Sequence, residues 1–248
     1  MLSFFRRIRV RLLQQKRFSK YLLYAVGEII LVVIGILIAL QVNNANENRK
    51  EAYRVEGFIK QLKLQIEKNV ISLENFKNVN AERLQVSKRL LANLYDENAS
   101  KNIDDLNILI LNNVYDYQLN LDMIIIEEAK SNGNFDLIAS DSLRISLYNY
   151  VNKYERFTRR EVVINEDLTL NLKPYLNDHY NLRYLINSTG EFDLGRSPFA
   201  DTDYLQMLKD PIFENHIVTR IMFAEEAMFL MVDLENLLKN LTVWLQEY

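Results

Sequence analysis

The chain is 248 residues long, with 30 basic and 33 acidic side chains and a formal net charge of −3 at pH 7. It contains no cysteine, which excludes disulfide bonds, thiolate metal ligands and a cysteine nucleophile. Six glycines and three prolines are few for this length, and such a composition favours long helices over sheets.

The first 20 residues are strongly basic. They contain no acidic residue and seven cations: Arg6, Arg7, Arg9, Arg11, Lys16, Arg17 and Lys20. By the positive-inside bias, we expect this segment in the cytoplasm, where it would set the topology of the chain. Phenylalanine and leucine side chains between the cations also allow it to lie along an anionic lipid surface as a helix. Because no nucleic-acid-binding motif accompanies these cations, we expect no nucleic-acid partner.

Residues 21–42 form an apolar run without Lys, Arg, Asp or Pro. A helix of this length reaches roughly 33 Å, enough to cross a hydrocarbon core of about 30 Å. The run is longer than the apolar part of a cleaved signal peptide, and the asparagines that follow it make a poor cleavage site. We therefore predict a single transmembrane helix that acts as an uncleaved signal anchor. Residues 43–248 carry 23 basic and 32 acidic side chains, and we expect this acidic part outside the cytoplasm.

Glu28 lies within the apolar run, where a carboxylate is costly unless it is protonated or paired. On a helix, Tyr24, Gly35 and Ala39 share a stripe with it, and two small residues four apart allow a second helix to approach closely. One hypothesis is a homodimer through this stripe, with a neutral Glu28 hydrogen-bonded across the interface. The alternative is a monomeric anchor whose glutamate reaches the cytoplasmic headgroups.

The segment RFSKYLLYAVGEIILVVIGILIALQVNNANENRK, residues 17–50, closely resembles the N-terminal signature of a family of uncharacterised single-span membrane proteins from Bacteroidota, a domain of unknown function. Residues 127–155 resemble a second block of the same family. The chain departs from the signature at Ala45, where the family has a tryptophan. The resemblance implies a protein of the inner membrane that faces the periplasm, and it implies no activity.

After the membrane, apolar residues recur at helical spacing. We predict helices over residues 47–96, 103–115 and 121–132, with Gly133 ending the third. Asn69 and Asn80 fall in the apolar seam of the first helix, as register-setting residues of a coiled coil would. Ser140 caps a long helix whose apolar spacing continues to Ile186 and which Pro174 kinks or divides. Asp210 precedes a last helix that runs nearly to the C-terminus.

Residues 187–202 contain two glycines and a proline and form the longest irregular stretch outside the membrane. Loops of this kind are either connectors or binding surfaces. As a binding surface, it would contact a partner through Phe192, Arg196 and Phe199.

We find no signature of catalysis or of metal and cofactor binding. His179 and His216 have no glutamate three residues before them, which removes the di-iron bundle pattern, and no HExxH or glycine-rich phosphate loop occurs. Adjacent carboxylates such as Glu225 and Glu226 point to different sides of a helix. We therefore expect no catalytic residue, no metal, no cofactor and no enzymatic activity.

These observations predict an all-α protein with three parts: a basic cytoplasmic segment (1–20), a transmembrane helix (21–42) and an elongated periplasmic helical bundle (43–248). We expect a membrane-anchored interaction or scaffold module whose partners are the lipid bilayer, an unknown periplasmic or membrane protein and, under the dimer hypothesis, a second copy of the chain. The alternative is an extracytoplasmic ligand-sensing domain that acts through a separate membrane protein.

Overall fold

A computed structural model describes residues 18–95, 103–199 and 204–246. Within these ranges the chain is helical with connecting loops, and no strand occurs, as predicted. The described residues fall into two compact units, one ending at Gly57 and one beginning at Phe58.

Helix α1 (Phe18–Asn93) is 76 residues long and belongs to both units. The prediction of separate helices over 21–42 and 47–96 is therefore wrong at the junction. The intervening NNANE contains neither glycine nor proline, so nothing in it interrupts the helical hydrogen bonds. In the first unit the apolar side chains of residues 22–42 lie on the helix surface. This part of α1 is long and apolar enough to cross a membrane.

The second unit is built on three long helices: the part of α1 after Phe58, α4 (Asp141–Asp167) and α8 (Pro211–Gln246). Each buries a stripe of apolar residues spaced three or four apart, which is why they pack together. The ring edge of Phe76 on α1 meets Phe157 on α4, with centroids 6.0 Å apart. The buried stripes include Leu62, Ile66, Leu73 and Leu90 of α1, Leu143, Leu147, Tyr150 and Ile164 of α4, and Ile217, Ala224, Met231, Leu238 and Leu241 of α8.

Two short helices, α2 (Ile103–Asn112) and α3 (Ile124–Asn132), are joined by an extended segment. Residues 115–123 bury every second side chain, from Tyr117 to Met123, so their period is two rather than 3.6. The predicted helical start at Leu121 is three residues too early, and the predicted end at Tyr115 is three residues too late. Gly133 ends α3 with φ 78°, as predicted, and a 3₁₀ turn (Asn134–Leu137) follows.

Helix α4 begins where predicted, because the Ser140 hydroxyl accepts a hydrogen bond from the Leu143 N–H at 3.2 Å. Before Pro174 the helix widens into a π turn (Leu168–Leu172) and resumes as α5 (Lys173–His179). This local change in winding fits a proline, which has no N–H for the ladder. The predicted continuation to Ile186 is wrong, because the backbone is extended at Tyr180.

Helix α6 (Leu182–Asn187) leads into the loop of residues 188–199, and α7 (Tyr204–Leu208) precedes α8. Neither α6 nor α7 was predicted as a separate helix. The last helix starts as expected, with the Asp210 carboxylate accepting from the Ile212 N–H at 2.8 Å. Leu94, Leu109, Leu176, Leu185 and Leu208 form one buried cluster, so α1, α2, α5, α6 and α7 meet at the end of the bundle where α1 ends.

Candidate functional site

The four residues of the predicted transmembrane contact lie in the first unit on α1. Tyr24 and Glu28 are half-buried, whereas Gly35 and Ala39 are exposed. A Cβ atom built on Gly35 would meet no atom within 4 Å. Contacts described within this chain therefore do not require a glycine there, and the proposed contact with a second helix stays a prediction.

The basic segment falls largely outside the described residues. Lys20 lies in the first turn of α1, and the other six cations, Arg6, Arg7, Arg9, Arg11, Lys16 and Arg17, precede the described part of the chain.

The most organised polar site of the second unit surrounds residues 115–123, which we call the strap. The strap lies against α4, and three α4 side chains hydrogen-bond its main chain at alternate residues. Asn165 accepts from the Tyr117 N–H at 2.8 Å and donates to the Tyr117 carbonyl at 2.7 Å. Glu161 accepts from the Leu119 N–H at 2.6 Å. The Tyr154 hydroxyl donates to the Leu119 carbonyl and accepts from the Leu121 N–H.

Helix α1 holds the other end of the strap in the same way. Asn69 accepts from the Asp122 N–H at 2.8 Å and donates to the Asp122 carbonyl at 2.7 Å. Gln65 also donates to that carbonyl and accepts from the Ile125 N–H at 3.1 Å. Asn69 and Gln65 are buried, and their amides replace the strand partner that an all-helical bundle cannot supply. The predicted burial of Asn69 is thus confirmed, and its contact is the strap.

Two arginines close over the strap. Arg83 of α1 and Arg220 of α8 place their guanidinium carbons 5.3 and 5.1 Å from the centre of the Tyr117 ring. They also donate to the main-chain carbonyls of Asp116 and Tyr115, at 3.0 and 3.2 Å. Arg220 is 3% exposed, and burial lowers the pKa of its guanidinium. The ring face and the carbonyl together compensate part of the cost of burying this charge.

Glu161 is the one carboxylate among the buried polar residues of the described chain. It is 7% exposed, and burial raises its pKa to about 7, although the hydrogen bond from Leu119 acts in the opposite direction. A buried carboxylate is unfavourable unless it is paired. The protonation state of Glu161 therefore affects how strongly α4 binds the strap.

The loop of residues 188–199 is held by hydrogen bonds to α6. Asn187 donates to the Gly195 carbonyl and accepts from the Leu194 N–H, at 3.1 and 2.9 Å. Arg183 donates to the Arg196 carbonyl at 2.9 Å. Asn181 donates to the hydroxyl of the buried Ser197 at 2.9 Å. These contacts tie the loop backbone to α6 and to Asn181 at its N-terminus.

This loop exposes large apolar side chains. Phe192 and Phe199 are 60% and 77% exposed, and Leu194 between them is also exposed. Gly190 and Gly195 have φ values of 70° and 68°, in the region where a Cβ atom is unfavourable. The three predicted contact residues, Phe192, Arg196 and Phe199, therefore lie on one ordered loop with exposed side chains.

The two histidines come together around Tyr175. The ring of His179 stacks on the ring of Tyr175 with centroids 4.2 Å apart. The centroid of the His216 ring lies 5.3 Å from that of Tyr175. The Tyr175 hydroxyl donates to Asp210 at 2.6 Å and lowers the pKa of that carboxyl. Within the described ranges, no group of three or more His, Asp or Glu side chains is placed to hold a metal ion.

Sequence analysis did not single out Gln65, Glu161 or Asn165. A usable signal was present, because Tyr154, Glu161 and Asn165 are spaced seven and four apart and so share one face of α4. Polar residues on such a face, opposite an alternating apolar segment, indicate side chains that pair with an extended main chain.

Comparison with known proteins gives one family. Residues 28–178 match the model of a family described as a family of unknown function, DUF6090. No curated protein and no solved structure matches the chain. The matched range contains the strap and the α1 and α4 side chains that hydrogen-bond to it, whereas Arg220 and the loop of residues 188–199 lie beyond it.

Proposed function

The chain belongs to the DUF6090 family, and we propose that it is a membrane-anchored interaction module whose helical domain binds a partner protein. In this proposal, residues 21–42 cross the inner membrane once, the basic N-terminus stays in the cytoplasm, and the second unit lies in the periplasm. The apolar surface of residues 22–42 and the excess of acidic residues after position 42 support this arrangement.

The loop of residues 188–199 is the observation that carries the binding role. Phe192, Leu194 and Phe199 are all exposed within eight residues of one loop, and exposed apolar patches mark interaction sites. The hydrogen bonds of Asn187 and Arg183 order the loop beforehand. A partner therefore does not have to supply the free energy of ordering it, which favours affinity.

The same loop suggests the chemistry of the partner. Charged residues of both signs alternate with its exposed apolar groups: Glu191 and Asp193 are next to Phe192, and Arg196 lies between Leu194 and Phe199. Mixed charge around an apolar centre is typical of a protein-binding surface, with a polar rim around a hydrophobic core.

A replacement of the two aromatic residues tests this proposal. In Phe192→Ser/Phe199→Ser, we expect the partner to be lost while the fold is kept, because both side chains point away from the core. The measurement is chemical cross-linking in intact membranes through a C-terminal affinity tag, followed by mass spectrometry. Leu170→Ser is the matched control, since Leu170 is 70% exposed and lies on the π turn.

One reproducible cross-linked neighbour that disappears in the double variant and persists in the control would support the interaction module. The same neighbours in all three chains would contradict the role of the loop.

A ligand-sensing role is the second candidate, and a groove between α1 and α8 favours it. The groove has a volume of about 300 Å³ and is lined by Leu73, Lys77, Glu235 and Lys239, among others. Glu235 already pairs with both lysines, at 2.5 and 2.6 Å. Because these charges compensate one another, the groove offers a ligand little that is unsatisfied. The interaction module remains our preferred function.

A further inference from the structure

The surface that α4 and α8 share carries two ion pairs and several exposed side chains. Two ion pairs join these helices: Arg160–Glu226 and Lys153–Asp233, both with an N–O distance of 2.5 Å. The pairs are one heptad apart on each helix and run in opposite directions, which fixes the antiparallel register of α4 against α8. In both ion pairs the cation belongs to α4 and the carboxylate belongs to α8.

Exposed residues continue this register next to the ion pairs. Met222 and Phe229 lie four residues before Glu226 and Asp233, and they are 63% and 70% exposed. On α4, Val163 and Arg156 are exposed and also one heptad apart. By the register of the ion pairs, Val163 lies within one residue of the height of Met222, and Arg156 lies within one residue of the height of Phe229. One residue of helix is about 1.5 Å.

A twofold axis parallel to the helices would place α8 of one copy on α4 of the other without changing these heights. Met222 then meets Val163, two apolar groups, and Phe229 meets Arg156, a ring and a guanidinium. Glu226 and Asp233 keep their ion pairs with Arg160 and Lys153 of their own copy, so the contact between copies rests on the Met222–Val163 and Phe229–Arg156 pairs. The pattern therefore satisfies the rule for an isologous interface, in which one patch is complementary to itself.

We infer that the α4–α8 face binds the same face of a second copy of this chain, forming a dimer with its twofold axis along the bundle. Both copies then enter the bundle at Phe58 from the same end, as two chains anchored in one membrane would. These contacts run from Met222 to Asp233, about 17 Å of helix. With helices about 10 Å apart, the contact covers about 340 Å² per copy, in the size range of weak interfaces.

This dimer rests on the proposed membrane anchoring. An interface of this small size gains from the high effective concentration that confinement to one membrane supplies. It is distinct from the contact predicted through Tyr24, Glu28, Gly35 and Ala39, and the two can be tested separately.

Cysteine cross-linking tests the inference, because the full chain has no cysteine of its own. Phe229→Cys and Arg156→Cys are placed on two differently tagged full-length chains, co-expressed in the same membranes and treated with a short bis-maleimide. We expect a cross-linked dimer that carries both tags. Pairing Ile71→Cys with Arg156→Cys is the control, because Ile71 is exposed but lies on α1.

Met222→Glu, added to both cysteine chains, should lower the yield of cross-linked dimer about tenfold, the ratio that corresponds to a loss of about 1.4 kcal/mol in association. Ile71→Glu, at a position of matched exposure, should leave it unchanged. Circular dichroism of each variant reports whether the helical fold is kept.

The yield of cross-linked dimer from the Phe229→Cys and Arg156→Cys chains is compared with that of the Ile71→Cys control, in chains that sediment with the membranes. A yield no higher than the control would overturn the dimer without affecting the proposed anchored module. Chains that do not sediment with the membranes would instead count against the proposed anchoring. A dimer that forms equally well with Met222→Glu would also overturn the inference.

Discussion

At the scale of single residues, the bundle uses its buried polar side chains to satisfy main-chain groups. Asn69 and Asn165 each pair with both the N–H and the carbonyl of one strap residue, as the neighbouring strand in a sheet would. An unpaired main-chain group buried away from water costs about 1–3 kcal/mol, so these amides make the extended strap compatible with an apolar interior.

Glu161 makes the stability of the fold depend on pH. Its pKa is raised from 4.5 to about 7 in the folded chain, so the folded state binds more protons than the unfolded state between these pH values. The free energy of unfolding should therefore fall as the pH rises from about 4.5 to 7, by at most roughly 3 kcal/mol. Above pH 7 this contribution of Glu161 to stability is gone.

Glu161→Gln should remove this dependence, because the amide oxygen can still accept from the Leu119 N–H but cannot ionise. We expect the variant to unfold at a higher temperature than the wild type at pH 8 and at a similar temperature at pH 5. The measurement is thermal unfolding of the detergent-solubilised chain, followed by circular dichroism. Glu166→Gln, exposed on the same helix, is the control. An unchanged pH profile in Glu161→Gln would show that this carboxylate does not titrate as argued.

At the scale of elements, the strap shows where helical periodicity fails. Ile103–Asn112 and Ile124–Asn132 are helical, but the segment between them alternates buried and exposed residues. Its extended form is stabilised by hydrogen bonds from polar side chains of α1 and α4. All of these bonds form only when both helices are packed against the segment. The strap and the two helices therefore form one cooperative unit.

Asn165→Leu should destabilise that unit. The leucine leaves the N–H and the carbonyl of Tyr117 unpaired in a buried position, and we expect a loss of about 2–4 kcal/mol in the free energy of unfolding. Denaturant unfolding measures the loss, and hydrogen exchange should be faster at the amides of residues 117–121. Asn152→Leu, at an exposed position of α4, should have little effect. Equal stability of the two variants would mean that the strap is not held by these bonds.

At the scale of the whole chain, the two units differ in what covers their apolar side chains. Beyond Phe58 the apolar stripes are buried against one another, whereas residues 22–42 have no protein cover in the described chain. A helix of this length and composition is stable in lipid, where its main-chain groups are paired internally.

The full chain should therefore stay with membranes after an alkaline carbonate wash, and a chain that begins at Phe58 should appear in the supernatant. Immunoblotting of both fractions measures the distribution. The mass of the purified full-length protein should include residues 1–42, because we expect an uncleaved anchor. A lower mass, together with recovery of the processed protein in the supernatant, would identify a cleaved signal peptide instead.

The amino-acid sequence alone determined the helical class, the apolar span, the caps at Ser140 and Asp210, and the stop at Gly133. Each of these depends on residues within a few positions of one another, or on the composition of one segment, so local physics is sufficient.

Only the tertiary structure decided the start of α3, the form of the strap, the meeting of the two histidines at Tyr175 and the ordered display of Phe192 and Phe199. The strap and its partners Gln65, Asn69, Glu161 and Asn165 are 42 to 57 residues apart in the chain. Helical and extended forms of residues 115–123 differ little in local free energy. Burial against side chains that are distant in the sequence therefore selects the extended form.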